Sequence, residues 1–338
     1  PGRALAALGG RDVYLLMLES YGAVAYDDAR AVQALQPRRE QLGAAIAAGG
    51  RQVVSAFVRS PTFGGASDLA HLSLLSGIDL RDPARHDLLL TTGRPTLMSL
   101  FRREGYQTFG VYPAVSWDWP ERAYYGYDTY LDGPALGYAG PPLGHWSIPD
   151  QFAFARFEQM HPRGGGTPPR FVFFATINTH IPFAPVPPYQ TDWQRLLTPA
   201  PFDAADVRSA LAQTPDWFDP LGDYLRAFDY TYRWLAGHLQ RPETRETVYV
   251  IVGDHQPVAS VTGASSSWDV PVHIVASDPA LVARLVAQGF HPGLAPARDA
   301  IGAMHDLTGL LLRALAEQPM SSASDGDDAT APPSSTLR

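Results

Sequence analysis

The sequence predicts an α/β fold: a central, mostly parallel mixed sheet with helices on both faces. Two observations support this prediction. Continuous apolar runs recur along the chain, as at residues 13–18 and 247–252, and runs without polar alternation are typical of strands that are buried on both faces. Segments with helical spacing separate most of these runs, and that alternation is typical of a sheet covered on two sides.

The individual elements follow from these patterns and from their end signals. Gly77 and Gly105 mark two helix ends, and Ser67 or Asp68 is expected to cap the helix that ends before Gly77. The aromatic segment at residues 117–130 is expected to be a loop. Strands are predicted at residues 13–18, 53–58, 108–112, 171–177, 247–252 and, as the last strand, 270–275; helices are predicted at residues 29–48, 67–76, 96–104, 221–239, 279–288 and 304–316.

Length and composition favour one domain. With 338 residues, of which 45% are hydrophobic, the chain can bury a large core. We expect a single catalytic domain at residues 1–316. Residues 317–338 are rich in Ser, Asp, Ala and Pro and poor in large apolar residues, so a disordered C-terminal tail is expected there.

Charge and residue usage exclude several classes of function. The formal charge of -8 and the isoelectric point near 5.6 provide no basic face for a nucleic acid. All 26 basic residues are arginine, which excludes Schiff-base and Walker-lysine chemistry. The chain has no cysteine, so disulfides, thiolate nucleophiles and cysteine zinc sites are excluded as well.

Polar side chains follow the apolar runs at the strand ends where open sheets of this kind bind ligands. Glu19 follows the first run, Ser67 begins a predicted helix, and Asp254 and His255 follow the run at residues 247–252. Two carboxylates, one imidazole and one hydroxyl can hold one divalent metal ion. This set of oxygen and nitrogen ligands suits Zn²⁺ or Mn²⁺, and Mg²⁺ is less favoured because of the histidine.

Ser67 is the candidate nucleophile. A serine hydroxyl is a weak nucleophile at neutral pH, and both a bound cation and the dipole of the helix that it begins would favour its ionised form. Backbone amides at residues 64–68 can hold a phosphoryl oxygen at the helix start. The pattern therefore predicts a metal-bound serine that attacks an anionic ester.

Each residue also has a purely structural interpretation. Glu19 can be a solvated loop carboxylate, and Ser67 can be a helix N-cap, a common role of serine. Asp254 can cap a turn with His255 packed beneath it, and His180 can be a turn histidine. The order and placement of these residues together favour the functional interpretation.

The motifs resemble those of the alkaline phosphatase and sulfatase superfamily over nearly the whole chain. In that superfamily the nucleophile stands ten positions before the glycine of a Leu-Leu-Thr-Gly-like helix end, and residues 74–77 here read Leu-Leu-Ser-Gly, which puts Ser67 at that position. Leu18-Glu19-Ser20 is similar to a first metal-ligand motif, and Gly253-Asp254-His255 is similar to the metal-binding Asp-His pair.

Within the superfamily, the chain most resembles lipoteichoic acid synthases and periplasmic phosphoglycerol and phosphoethanolamine transferases. This resemblance implies that His180 lies on the substrate side and that Trp117, Trp119 and Arg122 contact the head group, although the loop spacing differs. Sulfatases require Pro and Arg two and four places after the nucleophile, where this chain has Leu69 and His71. Sulfatase activity is therefore disfavoured.

The resemblance implies a function that the residues alone do not specify. We expect metal-dependent transfer of a phosphoryl-linked head group, of the phosphoglycerol or phosphoethanolamine type, from a phospholipid to a glycan or lipid of the cell envelope. The reaction would proceed through a phospho-serine, with His180 as general acid or hydrogen-bond donor. The alternatives are a phosphatase or phosphodiesterase with water as acceptor, in which His180 and another histidine such as His273 hold a second metal, and a non-catalytic envelope module.

The resemblance also implies a location. The chain starts at Pro1 and reaches an apolar strand within a few residues, so we expect an excised portion of a longer protein. A missing N-terminal segment would attach it to the membrane, because the chain itself contains no apolar run of the roughly 20 residues that a membrane helix requires. We expect a periplasmic or other extracytoplasmic domain of an inner-membrane protein.

Overall fold

A mixed sheet lies at the centre of the structure, a computed structural model that describes residues 5–144, 146–164, 166–263 and 266–316. The predicted tail at residues 317–338 lies outside the described residues. In the described part the sheet has nine strands. They are β1 (Asp12–Leu18), β2 (Gln52–Arg59), β3 (Gln107–Tyr112), β4 (Thr129–Asp132), β5 (Arg170–Ala175), β6 (Thr247–Gly253), β7 (Asp269–Ala276), β8 (His291–Pro292) and β9 (Ala300–Ala303).

Helices connect these strands, and short 3-10 helices lie at Ala6–Leu8 and Arg195–Leu197. The α-helices of the described residues are α1 (Val24–Asp27), α2 (Ala29–Ala48), α3 (Ser67–Ser76), α4 (Pro83–Leu90), α5 (Leu97–Arg103), α6 (Arg122–Tyr125), α7 (Gly133–Leu136), α8 (Asp150–Met160), α9 (Ala204–Leu211), α10 (Leu221–Leu239), α11 (Ala259–Thr262), α12 (Pro279–Val286) and α13 (Met304–Leu315). None of the helices within the described ranges is both long enough and apolar enough to cross a membrane.

The strand order places the ends of several strands at one edge of the sheet. The order is β4-β3-β5-β1-β6-β7-β2-β8, and β9 also pairs with β2. Strands β4, β3, β5, β1 and β6 run parallel to one another, whereas β7 is antiparallel to both β6 and β2. The segments that follow β1, β5 and β6 therefore leave the sheet at the same edge.

Two apolar layers cover the sheet. Along β1 the side chains alternate, so that Val13 and Leu15 belong to one layer and Tyr14 and Leu16 to the other. The first layer packs against α3, α5, α12 and α13, and the second packs against α2, α8 and α10. Every residue of β1 is buried, as expected for a central parallel strand.

The predicted fold class is confirmed, and two local predictions are wrong. The aromatic segment at residues 117–130 was expected to be a loop, but it contains helix α6 and the start of strand β4. The sequence did not indicate β4 because this short edge strand buries only Leu131 and lacks a long apolar run. The strand at residues 270–275 is followed by β8 and β9, two short strands with no fully buried residue. Short partly exposed strands leave little apolar pattern in a sequence.

The opposite edge of the sheet holds a buried carboxylate. Asp12 begins β1 and is fully buried, and its carboxylate lies 3.3–3.6 Å from the guanidinium groups of Arg163, Arg170 and Arg245. It also accepts a hydrogen bond of 2.9 Å from the backbone N–H of Arg170. Asp12 thus neutralises three arginines and connects β1 with β5.

Replacement of Asp12 by alanine is expected to lower the free energy of unfolding by about 3–5 kcal/mol, because the guanidinium groups would lose their shared counter-charge. Urea unfolding measures this change. The control is Asp219→Ala, which removes an exposed ion pair with Arg30 and should cost less than about 1 kcal/mol. Equal small losses in both variants would contradict the prediction.

Candidate active site

The site begins with two carboxylates at neighbouring strand ends. In the register of β1 and β6, Leu18 pairs with Gly253, so Glu19 and Asp254 are the next residues on adjacent parallel strands. Both side chains are buried, with Glu19 6% and Asp254 0% exposed. A side chain at Gly253 would place its Cβ 1.8 Å from the carbonyl oxygen of Tyr21, so this position requires glycine.

The backbone around Glu19 is held by two hydroxyl groups from the segment that follows β5. Thr176 Oγ1 accepts a 3.0 Å hydrogen bond from the Glu19 N–H, and Thr179 Oγ1 donates to the Glu19 carbonyl oxygen at 2.5 Å. Ser20 adopts a left-handed conformation with φ of 56°, which turns its N–H to Asp254 Oδ1 at 2.8 Å. These contacts fix the Glu19 carboxylate relative to that of Asp254.

Backbone contacts also orient His255. Its Nδ1 lies 2.7 Å from the carbonyl oxygen of Gln256, so Nδ1 carries the proton and the lone pair of neutral imidazole is on Nε2. Nε2 lies 3.5 Å from both Glu19 Oε1 and Asp254 Oδ2. The Asp254 Oδ1 atom accepts from the His255 N–H at 2.6 Å, which keeps the pair rigid.

Ser67 points at these groups instead of capping its helix. The N-cap of α3 is Ala66, in a left-handed conformation and without a side-chain cap, and Ser67 is the first helical residue. Its Oγ lies 3.1 Å from Glu19 Oε2 and 3.2 Å from His255 Nε2. The expectation of Ser67 or Asp68 as N-cap is therefore wrong, because the positive φ of 56° at Ala66 turns the Ser67 hydroxyl toward the carboxylates.

The three deepest groups fit a divalent cation. Each of Glu19, Asp254 and His255 offers one ligand atom, and these atoms lie within 4.8 Å of one another. Asp254 Oδ2 is fully buried and has no hydrogen-bond partner, which is costly for a carboxylate unless a cation binds it. Carboxylate oxygens and a neutral imidazole nitrogen match the preferences of Zn²⁺ and Mn²⁺.

Electrostatics reinforce this fit. Burial, and then the adjacent charge of Glu19, raises the pKa of Asp254 to about 8. Although burial opposes its charge, the pKa of His255 is raised by the carboxylates of Asp254 and Glu19. Without a cation the cluster thus retains protons, which a bound cation would displace.

The second metal predicted with His273 is not supported. His273 is buried on β7, and its Nδ1 lies 2.6 Å from Ser55 Oγ while its Nε2 lies 2.9 Å from the Tyr21 hydroxyl. Both ring nitrogens therefore have protein partners. Within the described ranges, no group of three metal-binding side chains includes His180 or His273.

His180 lies on a turn that Asp150 holds in place. The turn follows β5, the His180 N–H donates to the Ile177 carbonyl oxygen at 2.9 Å, and its Nδ1 lies 2.5 Å from the Ile181 carbonyl oxygen. The Asp150 carboxylate accepts 2.9 Å hydrogen bonds from the N–H groups of Ile177 and Asn178, and Asn178 Oδ1 accepts from the Asp150 N–H at 2.7 Å. No sequence signal pointed to Asp150.

A cavity of about 380 Å³ opens between Ser67 and the turn of His180. Trp117 and Trp119 line it, whereas Arg122 does not: its guanidinium lies 4.7 Å from the centre of the Tyr130 ring. The head-group contact predicted for Arg122 thus has no support from its position, since helix α6 directs this side chain to Tyr130. Sequence reasoning missed other lining residues, namely Asp68, His71, Tyr112 and Trp146.

A larger cleft of about 600 Å³ lies elsewhere, between α2, α9 and α10. Its arginines already have acidic partners: Arg226 pairs with Asp223, and Arg233 pairs with Asp229. None of the predicted site residues lines it. The smaller cavity at the strand ends is therefore the candidate active site.

Asp150 should make stability depend on pH. Burial raises the pKa of Asp150 to about 7, against the effect of the Asn178 and Ile177 amides, whereas an unfolded aspartate titrates near 3.9. Between these values the folded state binds more protons, so the free energy of unfolding decreases as pH rises from about 4 to about 7.

Replacement of Asp150 by Asn should remove this contribution. Urea unfolding of the wild type and of Asp150→Asn at pH 5 and pH 8 tests it. The wild type is expected to lose on the order of 2 kcal/mol more than the variant between the two pH values. An equal decrease in the free energy of unfolding in the wild type and in Asp150→Asn would show that Asp150 does not titrate in this range.

Solved structures provide the comparison, since no protein-family model and no curated protein matches this chain. A protein in the alkaline phosphatase superfamily from Vibrio parahaemolyticus aligns with a TM-score of 0.58 and 16% identity over 90% of this chain and 66% of its own. This chain thus spans slightly less than two thirds of that protein.

Two further structures align over most of both chains. The phosphoglycerol transferase GacH of Streptococcus pyogenes, in complex with sn-glycerol-1-phosphate, gives a TM-score of 0.53 at 11% identity over 92% of this chain and 88% of its own. The C-terminal periplasmic domain of the phosphoethanolamine transferase EptC of Campylobacter jejuni gives 0.53 at 10% identity over 91% and 90%. The predicted resemblance is confirmed at the level of structure: the chain has the fold of the alkaline phosphatase superfamily.

Proposed function

We propose that this chain is the catalytic domain of a metal-dependent phosphotransferase that uses Ser67 as its nucleophile. The reaction moves a phosphoryl-linked head group from a phospholipid to an acceptor in the cell envelope. The fold supports the superfamily, and the arrangement around Ser67 supports the reaction class.

The contact of Ser67 with Glu19 and His255 is the observation that carries the proposal. A capping serine would direct its oxygen to amides of the first helical turn, whereas Ser67 Oγ contacts Glu19 Oε2 at 3.1 Å and His255 Nε2 at 3.2 Å. A hydroxyl at the mouth of a cavity, beside a buried carboxylate and imidazole, is the arrangement of an activated nucleophile.

The first step forms a bond between Ser67 Oγ and the phosphorus and breaks the bond to the donor's alcohol. A divalent cation held by Glu19, Asp254 and His255 would polarise the phosphoryl group and favour the ionised serine. The serine proton passes to solvent, and Ser67 retains the head group as a phosphodiester. The start of α3 aligns backbone N–H groups with the phosphoryl oxygens.

We infer that His180 transfers protons to and from the two alcohols. Its ring lines the same cavity as Ser67, and its turn is tied to β5 and α8 by the contacts of Asp150. In the first step it donates a proton to the leaving oxygen, and in the second it accepts one from the incoming hydroxyl. The second step cleaves the bond between Ser67 Oγ and phosphorus and regenerates the serine.

The similar structures support the choice of substrates and location. GacH is a phosphoglycerol transferase in complex with sn-glycerol-1-phosphate, and the aligned part of EptC is a periplasmic domain. We infer that the donor is a membrane phospholipid, that the acceptor is an envelope glycan or lipid, and that the domain works outside the cytoplasm on a membrane-anchored parent. With water as acceptor, the same site would act as a phosphodiesterase.

Intact mass after incubation with a p-nitrophenyl phosphodiester and Mn²⁺ or Zn²⁺ tests the nucleophile. The wild type should gain the mass of one phosphoryl-linked group, and Ser67→Ala should gain none and lose at least about a hundredfold in turnover. Ser99→Ala, on helix α5 away from the cavity, is the matched control and should behave as wild type.

The same experiment separates transfer from hydrolysis. Nitrophenol release that increases when a glycan or glycerol acceptor is added, with a new acceptor ester in the products, supports transfer. Release that does not respond to acceptors indicates hydrolysis. A Ser67→Ala protein with wild-type turnover would refute the proposal, and the absence of both metal binding and turnover would favour the non-catalytic module.

Metal binding should stabilise the fold. Addition of Zn²⁺ or Mn²⁺ at about 100 times its dissociation constant is expected to raise the free energy of unfolding by about 2.7 kcal/mol, because it relieves the repulsion between Glu19 and Asp254. Thermal unfolding of the chelator-treated protein, with and without metal, measures this effect. Asp254→Asn should abolish most of the increase, whereas Asp219→Asn should leave it unchanged. An equal increase in Asp254→Asn would place the metal elsewhere.

A further inference from the structure

The cavity beyond Ser67 has an unusual lining for a site that binds an anionic ester. Tyr112, Trp117, Trp119 and Trp146 all line it, and we call these four residues the aromatic wall. Among the described residues that line the cavity, none is an arginine, and the chain has no lysine. The part of the substrate beyond the phosphorus therefore meets aromatic rings and no arginine or lysine side chain.

The rings of the aromatic wall pack against one another in two pairs. Trp117 and Trp146 lie with ring centres 6.0 Å apart at 50°, and Trp119 meets Tyr112 at 5.2 Å and 64°. Trp117 is 52% and Trp146 is 36% exposed, at the open side of the cavity, whereas Tyr112 is 5% exposed. The wall thus extends from the buried interior to solvent.

Charge at the cavity has the opposite sign from that of a phosphate site. Asp68, next to Ser67, lines the cavity and has a half-exposed carboxylate. Arg122, which was predicted to contact the head group, has its guanidinium over the Tyr130 ring and does not line the cavity. A positive group at this end of the substrate would be attracted both to the ring faces and to Asp68.

We propose that the aromatic wall binds a quaternary ammonium head group, so that the preferred substrates are choline-type phosphodiesters. This inference rests on the proposed function of Ser67. Tryptophan faces attract cations most strongly among the aromatic side chains, and recognition of quaternary ammonium groups by aromatic rings depends on that attraction.

The number of hydrogen bonds that a head group requires distinguishes a quaternary ammonium from a glycerol, a sugar or a primary ammonium group. A glycerol or sugar group requires polar partners. The hydroxyl of Tyr112 is already bonded to that of Tyr127 at 2.5 Å, and Thr176 Oγ1 already accepts from the Glu19 N–H at 3.0 Å. The other polar lining residues outside the metal cluster are Ser67, Asp68, His71 and His180. A primary ammonium requires three acceptors for its N–H groups, and Asp68 is the one lining carboxylate outside the metal cluster among the described residues. A quaternary ammonium has no N–H group and needs none.

A pair of isosteric substrates provides the test. One p-nitrophenyl phosphodiester carries choline, and the other carries 3,3-dimethylbutanol, in which a carbon atom replaces the charged nitrogen. The wild type is expected to prefer the choline ester by roughly tenfold in kcat/KM, which corresponds to a cation–π contribution of about 1.4 kcal/mol. The glycerol and ethanolamine esters should be poorer substrates than the choline ester.

Substitutions in the aromatic wall test whether these residues cause the preference for the choline ester. Trp117→Leu and Trp146→Leu should each reduce the choline preference, which is the ratio of the kcat/KM values of the two esters, by roughly threefold. Both esters lose the same apolar contact, but the choline ester alone also loses a cation–π contact. Trp217→Leu, an exposed tryptophan between α9 and α10, is the matched control and should retain the full preference. Equal kcat/KM for the two esters in the wild type, or an unchanged preference in both wall variants, would overturn the proposal.

A binding measurement keeps this inference separate from the reaction. Calorimetric titration of the Ser67→Ala protein with choline phosphate and with 3,3-dimethylbutyl phosphate should give tighter binding of the former. If no ester is turned over but this difference persists and is lost in Trp117→Leu, the proposed reaction fails and the head-group site stands. Equal binding of both phosphates overturns the head-group site whatever the turnover.

Discussion

The buried pair of carboxylates at the ends of β1 and β6 is the constraint on which the rest of the site depends. Parallel pairing of Leu18 with Gly253 forces Glu19 and Asp254 to emerge side by side. Two such charges without compensation would cost several kcal/mol each. Two backbone amides donate hydrogen bonds to Asp254 Oδ1, whereas Oδ2 has no hydrogen-bond partner among the described residues. This buried oxygen can therefore bind a cation.

The sheet separates its charges along the strand direction. At the amino end of β1, the Asp12 carboxylate lies 3.3–3.6 Å from three guanidinium groups, which supply its counter-charge although its Oδ2 makes no hydrogen bond within the described residues. At the carboxyl end, seven residues later, Glu19 has no arginine partner among the described residues and contacts Ser20, Ser67 and His255 instead. The first cluster stabilises the fold, and the second is incomplete without a ligand. This difference distinguishes a structural carboxylate from a candidate catalytic one, although both are buried, one at each end of β1.

Sequence reasoning succeeded where local pattern and topology coincide. The apolar runs identified the central strands, and the rule that parallel strands open toward one edge correctly brought Glu19, Asp254 and His255 together. The spacing of Ser67 before Gly77 placed its hydroxyl near the same edge, although its role there remains a proposal. The left-handed Ala66 that turns Ser67 away from a capping position left no signal, because alanine rarely adopts that conformation.

Contacts between distant segments could not be predicted in the same way. Asp150 reaches Ile177 and Asn178 across 27 and 28 residues, and Trp146 meets Trp117 across 29 positions; neither pairing follows from any periodicity. The charge of Arg122 suited a head-group contact, but its position at the start of helix α6 directs the guanidinium to the Tyr130 ring. Side-chain direction in irregular segments depends on tertiary packing, which a single sequence does not encode locally.

The absence of arginine from the described lining of the cavity has a further consequence for the chemistry. A phosphodiester carries a full negative charge, and many phosphate sites neutralise it with arginine or lysine. Here the groups available for that purpose are the amides at the start of α3 and a cation held by Glu19, Asp254 and His255. Phosphate binding and nucleophile activation would then both depend on the same ion, so its loss should abolish binding of the phosphoryl group and turnover together. The aromatic wall, in contrast, needs no metal, and head-group binding can therefore persist when the reaction does not.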